Sequence, residues 1–164
     1  MSYDLKIYRN EVRENSSSLD FLENEETVLP FSEKQNAILR KRLKHYKYEL
    51  ESKNDLFEEY NYDGGKLGIS ALLTNNCLTF RCAGGSQDGL FEIIQTASEF
   101  SDGDLSVLNL QEGTWENQGE TFKVGQPPNI NSTQEVNANI KKETNNLTKD
   151  KPKSENNSPW WKFW

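Results

Sequence analysis

The residues equipped for chemistry in this chain of 164 are few and scattered. One histidine, His45, sits in the run Arg40-Lys41-Arg42-Leu43-Lys44-His45-Tyr46-Lys47. A histidine working as a general base needs an acidic orienter and a nucleophile beside it, and the spacing supplies neither. Two cysteines, Cys77 and Cys82, lie five positions apart. On one strand they would point to opposite faces, so they can neither pair nor share a metal. They read as free, buried thiols of a reducing compartment. Carboxylates abound without forming a working pair. Glu58-Glu59 falls in a strand, where neighbours face opposite ways. Asp102-Gly103-Asp104 lacks the later ligands and the closing Glu of a calcium loop. Gly64-Gly65 and Gly84-Gly85 lack the spacing and the Lys of a phosphate loop. Serine elbows, H-E-x-x-H and C-x-x-C are missing too. The reading is a non-enzymatic protein without metal or cofactor, a carboxylate-only site being the residual enzymatic alternative.

Two groups of residues point instead to binding. Arg40, Lys41, Lys44 and Lys47 are either the solvated face of a helix or a basic patch for an acidic partner. Pro159-Trp160-Trp161-Lys162-Phe163-Trp164 holds three of the four tryptophans, at the end of a stretch too polar to fold. Such a stretch has no core in which to bury large rings, so Trp160, Trp161, Lys162, Phe163 and Trp164 read as a docking motif. A pocket on a partner protein, the chain's own domain and a lipid interface compete as its target.

Elements able to position these residues follow from periodicity. Tyr3, Leu5 and Ile7 alternate with Asp4, Lys6 and Tyr8 as a half-buried strand. Residues 9–30 are charged and Ser-rich; Leu19, Phe21 and Leu22 are expected to pack down while Glu23 to Glu26 stay wet. Ser32 with Gln35 forms a capping box, predicting a helix to about Tyr46 with Ile38/Leu39, Leu43 and Tyr46 inward. Strands are predicted over 46–50, 56–62, 67–73 and 77–82, punctuated by turns at Asp63-Gly64-Gly65 and Asn75-Asn76. Asp88 is expected to cap a second helix burying Leu90, Ile93, Ile94, Ala97 and Phe100. A last strand spans 105–110, and Trp115 is expected to cover the edge of the core.

The predicted fold is α+β: an antiparallel sheet of five or six strands with two helices packed on one face, then a disordered C-terminal tail. Residues 1–117 form the domain, 118–158 a disordered polar linker and 159–164 the aromatic motif. About forty flexible residues span on the order of 35 Å. The net charge of −7 is unevenly divided: residues 1–118 hold 21 acids and 12 bases, residues 119–164 hold 5 and 7. An acidic body disfavours nucleic acid and suits a basic partner. The opening Met1-Ser2-Tyr3-Asp4-Leu5-Lys6 lacks the pattern of a secretion signal, and no window approaches 18 apolar residues. The expected location is cytoplasmic.

That opening, the closing Pro159 to Trp164, Gly68-Ile69-Ser70-Ala71-Leu72-Leu73 and Asp88-Gly89-Leu90-Phe91-Glu92-Ile93-Ile94-Gln95-Thr96-Ala97 carry a resemblance. Together they resemble small bacterial cytosolic proteins of α+β build, loosely those of the immunity type. The resemblance implies a protein that neutralises a toxin by binding it, and it carries over no catalytic residue.

Overall fold

A computed structural model describes residues 2–83 and 86–125, apart from the Glu26 side chain. They form an α+β domain built on one eight-stranded antiparallel sheet. The elements are β1 (Tyr3–Arg9), α1 (Asn10–Asn15), a 3-10 segment (Asp20–Thr27), α2 (Glu33–His45), β2 (Tyr48–Lys53) and β3 (Phe57–Tyr62). There follow β4 (Ile69–Thr74), β5 (Leu78–Cys82), α3 (Gln87–Phe100), β6 (Leu105–Asn109), β7 (Thr114–Asn117) and β8 (Glu120–Lys123). Strand order is β2-β3-β4-β5-β1-β6-β7-β8, which places β1 in the interior and β2 and β8 at the edges. Among the described residues no helix is long and apolar enough to cross a membrane.

Alternation along the strands decides both faces. Leu5 and Ile7 of β1, Ile69, Ala71 and Leu73 of β4, and Leu78, Phe80 and Cys82 of β5 project to one side. There they meet Leu39 and Leu43 of α2 and Ile93, Ala97 and Phe100 of α3. Burying each such side chain fully is worth about 1.5–3 kcal/mol. Phe80 joins the layers, with Tyr48 at 5.3 Å and Phe100 edge-on at 5.4 Å. The capping box of α2 is present: the Ser32 hydroxyl accepts from the Gln35 amide at 3.2 Å, and the Gln35 side chain accepts from the Ser32 amide at 2.9 Å. Helix α3 is capped by Ser86, whose hydroxyl accepts from the Gly89 amide, not by Asp88. Gly89 is required where α3 meets the sheet: a Cβ there would stand 2.7 Å from the Leu67 carbonyl oxygen.

The sheet's second face departs from expectation. It is not left open on the side away from α2 and α3, because α1 and the 3-10 segment cover it beside β1 and β6. Tyr8, Val12, Val28, Cys77, Leu108 and Trp115 form a separate core there. Leu19, Phe21 and Leu22 pack against that core, as the sequence predicts. Glu25, expected to stay wet, instead turns inward. It accepts from Lys6 Nζ at 2.6 Å and from the Tyr8 hydroxyl at 2.5 Å, and so pins the segment to β1. Trp115 is at the centre of this core, 5.9 Å from Tyr8 and stacked 6.1 Å from Phe21, and is not an edge cover.

The strand count is eight, against the five or six predicted, since β7 and β8 form a hairpin. Gln118 and Gly119 both take positive φ, 50° and 80°, the requirement of a tight turn whose twist matches its strands. Strand β8 therefore occupies positions that the sequence assigns to the polar linker. Residues 126–158 of that linker and the aromatic motif lie outside the described residues.

Candidate functional site

Of the predicted basic patch, the structure gathers three members and separates the fourth. Arg40, Lys44 and Lys47 recur at intervals of four and three, so they follow one line along α2 and its terminal turn. They open onto a groove of about 590 Å³ between α2 and the edge strand β2, lined further by Tyr48, Leu50 and Tyr60, with Glu49 and Asp63 at its margin. Lys41 instead borders a cavity between α2 and α3, with Ile38, Arg42, His45, Tyr46 and Glu99. Trp160, Trp161, Lys162, Phe163 and Trp164 lie outside the described residues.

The geometry of the groove depends on two local features. Lys47 ends α2 in the left-handed region, φ 63°, where glycine is the usual occupant. Its carbonyl accepts from the Asp63 amide at 2.8 Å, which holds the turn against β3. On the far side of Arg40, in the wall of an adjoining cavity with Lys53, lies Glu58, a carboxylate only 5% exposed. Arg40 Nε reaches both of its oxygens, at 3.0 and 2.9 Å, Lys53 Nζ is 2.7 Å away and the Tyr60 hydroxyl donates at 2.6 Å. Burial alone would raise its pKa. The hydrogen bonds from Arg40, Lys53 and Tyr60 outweigh that and hold the carboxyl down at about 2. Burial, with the Glu58 carboxylate as acceptor, pushes the Tyr60 hydroxyl up, so it stays a donor at physiological pH. The cluster joins α2 to β2 and β3, and it neutralises the charge of Arg40 but not those of Lys44 and Lys47.

A second surface was not legible as a site. Residues 86–125 hold Asp88, Glu92, Glu99, Asp102, Asp104, Glu112, Glu116 and Glu120 against a single cation, Lys123. On α3, in this acidic half, Phe91 is 69% and Ile94 41% exposed. Ile94 was expected inward. The helix turns instead so that Ile93, Ala97 and Phe100 fill the core, which leaves the i, i+3 pair Phe91–Ile94 outside. Ile94 opens onto a cleft of about 150 Å³ with Leu5, Val107 and Thr114, and with Glu112 and Glu116 among its walls. Ser98, one turn further, donates to Glu116 at 2.7 Å and orients this stripe toward β7. Counting charge by element, and not over the whole chain, is the signal that would have found this surface.

The remaining reactive groups are sequestered or unaccompanied. Cys77 and Cys82 are free and buried, in the two opposite cores, as alternation predicts. Burial pushes the Cys77 thiol up to about 11, far from the thiolate a nucleophile needs. His45 is exposed at the end of α2, edge-on to Tyr46 at 5.3 Å. Asp102 is bound to Arg42 at 2.6 Å. Among the described residues no three His, Cys, Asp or Glu side chains converge where a metal ion could be held. No protein-family model, curated protein or solved structure matches the chain, and the functional reading rests on this geometry.

Proposed function

We propose that the chain is a non-enzymatic, cytoplasmic protein-interaction module of the immunity type, whose acidic half captures a basic protein partner. The supporting observation is the placement of Phe91 and Ile94, exposed side by side, in a half that carries eight carboxylates and one cation. Large exposed apolar side chains beside carboxylates, here Glu112 and Glu116 next to Ile94, favour a partner with a complementary basic rim and an apolar centre. The carboxylates would steer encounter and reject acidic competitors, while the two apolar side chains would slow release. Trp160, Trp161, Lys162, Phe163 and Trp164 would add a tethered second contact, to the same partner or to another. A weak second contact joined through the chain to the first acts at an effective concentration near millimolar and multiplies affinity.

The test compares capture from a lysate of the chain's own cells by three forms: the full chain, a Phe91→Ser/Ile94→Ser variant, and a chain ending at Ser158. A basic protein held by the full chain, lost with the double variant and weakened by the shortening is the expected result. Identical capture by the full chain and the double variant would overturn the reading. Flotation of the full chain, but not the shortened one, with neutral vesicles would replace the partner protein by a lipid surface as the target of the aromatic motif.

A further inference from the structure

We propose that the free edge of β2 and the Arg40–Lys44–Lys47 groove beside it take up a short, extended acidic peptide segment by strand addition. This site is independent of the acidic half and opposite to it in sign.

Strand β2 is outermost in the sheet, and five of its six residues are exposed. An edge strand presents unpaired amide and carbonyl groups, and an added strand would pair with them about 4.8 Å away. Tyr48 and Leu50 alternate toward the groove, and Leu50 is 52% exposed on that side. The ladder of β2 with β3 shifts register between Leu50 and Ser52. Such a bulge twists the edge away, so only the Tyr48–Leu50 stretch is presented squarely. The recognised segment is therefore short.

Charge selects the occupant. Arg40 is neutralised by Glu58, but Lys44 and Lys47 make no ion pair among the described residues. These two unpaired ammonium groups beside a free edge complement carboxylates on the groove side of an incoming strand, whereas Glu49 and Asp63 oppose them at its margin. An apolar side chain between two such carboxylates would lie on Leu50. Glu49 also borders the groove, and it disfavours acidic side chains at the intervening positions. The motif is thus acid, apolar, acid at alternate positions, with uncharged residues between. The left-handed Lys47 fits this reading. Glycine would satisfy the backbone without strain, whereas lysine places a cation at the mouth of the groove.

The probe is the end-blocked heptapeptide Thr-Glu-Thr-Leu-Thr-Glu-Thr with a fluorophore, titrated into the full chain by anisotropy, with amide shifts mapped by NMR. Saturable binding is expected, its largest shifts in Tyr48–Leu50. The Lys44→Gln/Lys47→Gly variant should weaken it about tenfold while melting no lower than the parent, because Lys44 is exposed and glycine relieves the strain at position 47. Blocking alternate amides of the peptide by N-methylation should abolish binding if the contact is a strand. Equal binding of the N-methylated peptide would overturn strand addition. Equal binding of the Glu-to-Lys version, or an unchanged affinity in the variant, would overturn the charge assignment. A chain that sediments as a dimer through β2 would give the edge to a second copy, and no binding of the probe at millimolar concentration would reject the site.

Discussion

Replacing Glu58 by Gln removes one negative charge from a nearly isosteric, buried side chain and leaves three donors, from Arg40, Lys53 and Tyr60, around a single amide oxygen. The folded protein holds this carboxyl at about 2 against an ordinary 4.5. At about 1.36 kcal/mol per pKa unit, that difference is at most about 3.4 kcal/mol of stability at neutral pH. Glu58 itself is buried, but the Arg40 and Lys53 side chains are 46% and 57% exposed, and water screens their charges. Halving for that screening leaves about 2 kcal/mol, or roughly 8 °C in melting temperature for a domain of this size. The sign of the pH dependence follows from the depressed pKa. The contribution is fully present above about pH 4.5 and is lost as pH falls toward 2. By pH 3 about three-fifths of it is gone, so parent and Glu58→Gln curves should converge from about 2 to about 0.8 kcal/mol. Urea unfolding followed by tryptophan fluorescence at pH 7, 5, 4 and 3 measures this directly. A constant difference across that range would show that the substitution costs packing and not charge. No difference at pH 7 would show that water already solvates the cluster.

Three further outcomes follow from the packing. Gly89→Ala should destabilise by about 1–3 kcal/mol, because the new Cβ meets the Leu67 carbonyl oxygen at 2.7 Å and Cys82 Sγ at 3.0 Å; an unchanged urea midpoint would refute the close approach of α3 to the sheet. Trp115→Ala should cost about 3–5 kcal/mol, but Trp115→Phe only about 1–2, since the buried indole Nε1 has no acceptor among the described residues. Equal losses in urea for both variants would show that the indole N–H carries the energy. Cys77 should resist maleimide at pH 8, where a thiol at about 11 is thiolate to roughly one part in a thousand. Labelling of a Cys82→Ala variant as fast as a free cysteine would show that its core opens readily.

What the sequence made legible was local. Six strands followed from alternation, and α2 and α3 followed from apolar stripes beside Ser32 and the Gly84-Gly85 break. The losses were long-range or chemically unusual. Glu25 sits in a charged window that reads as wet, and Glu58 in a strand where only its opposition to Glu59 is legible. Their partners lie 19 and 18 positions away, at Lys6 and Arg40, beyond the reach of any periodicity. The β7–β8 hairpin turns on Gln118-Gly119, a weaker signal than Asn-Gly, and its polar strands merge with the polar segment that follows. Residues 10–28 pack through Val12, Leu19, Phe21, Leu22, Val28 and one carboxylate, spaced too irregularly for a helical stripe. At the candidate site, the four cations were visible as a run. Helical phase alone separated Lys41 from Arg40, Lys44 and Lys47, and Phe91 and Ile94 were exposed by the rotation that α3 adopts to bury Phe100.

The interior position of β1 has a consequence for the order in which the molecule can assemble. Tyr3 pairs with Cys82 and Leu5 with Asn109, so the strand made first finds its two neighbours only after most of the domain exists. At translation rates of about 5–20 residues per second, β1 waits roughly 5–20 seconds with Leu5, Ile7 and Tyr8 unburied. Until then neither core can close, because one needs Ile7 against Val107 and the other needs Tyr8 beside Trp115. Assembly is therefore late and all at once, governed by distant pairings that fold slowly. A nascent chain halted before β6 would expose two unfinished apolar faces to whatever chaperone or protease reaches it first.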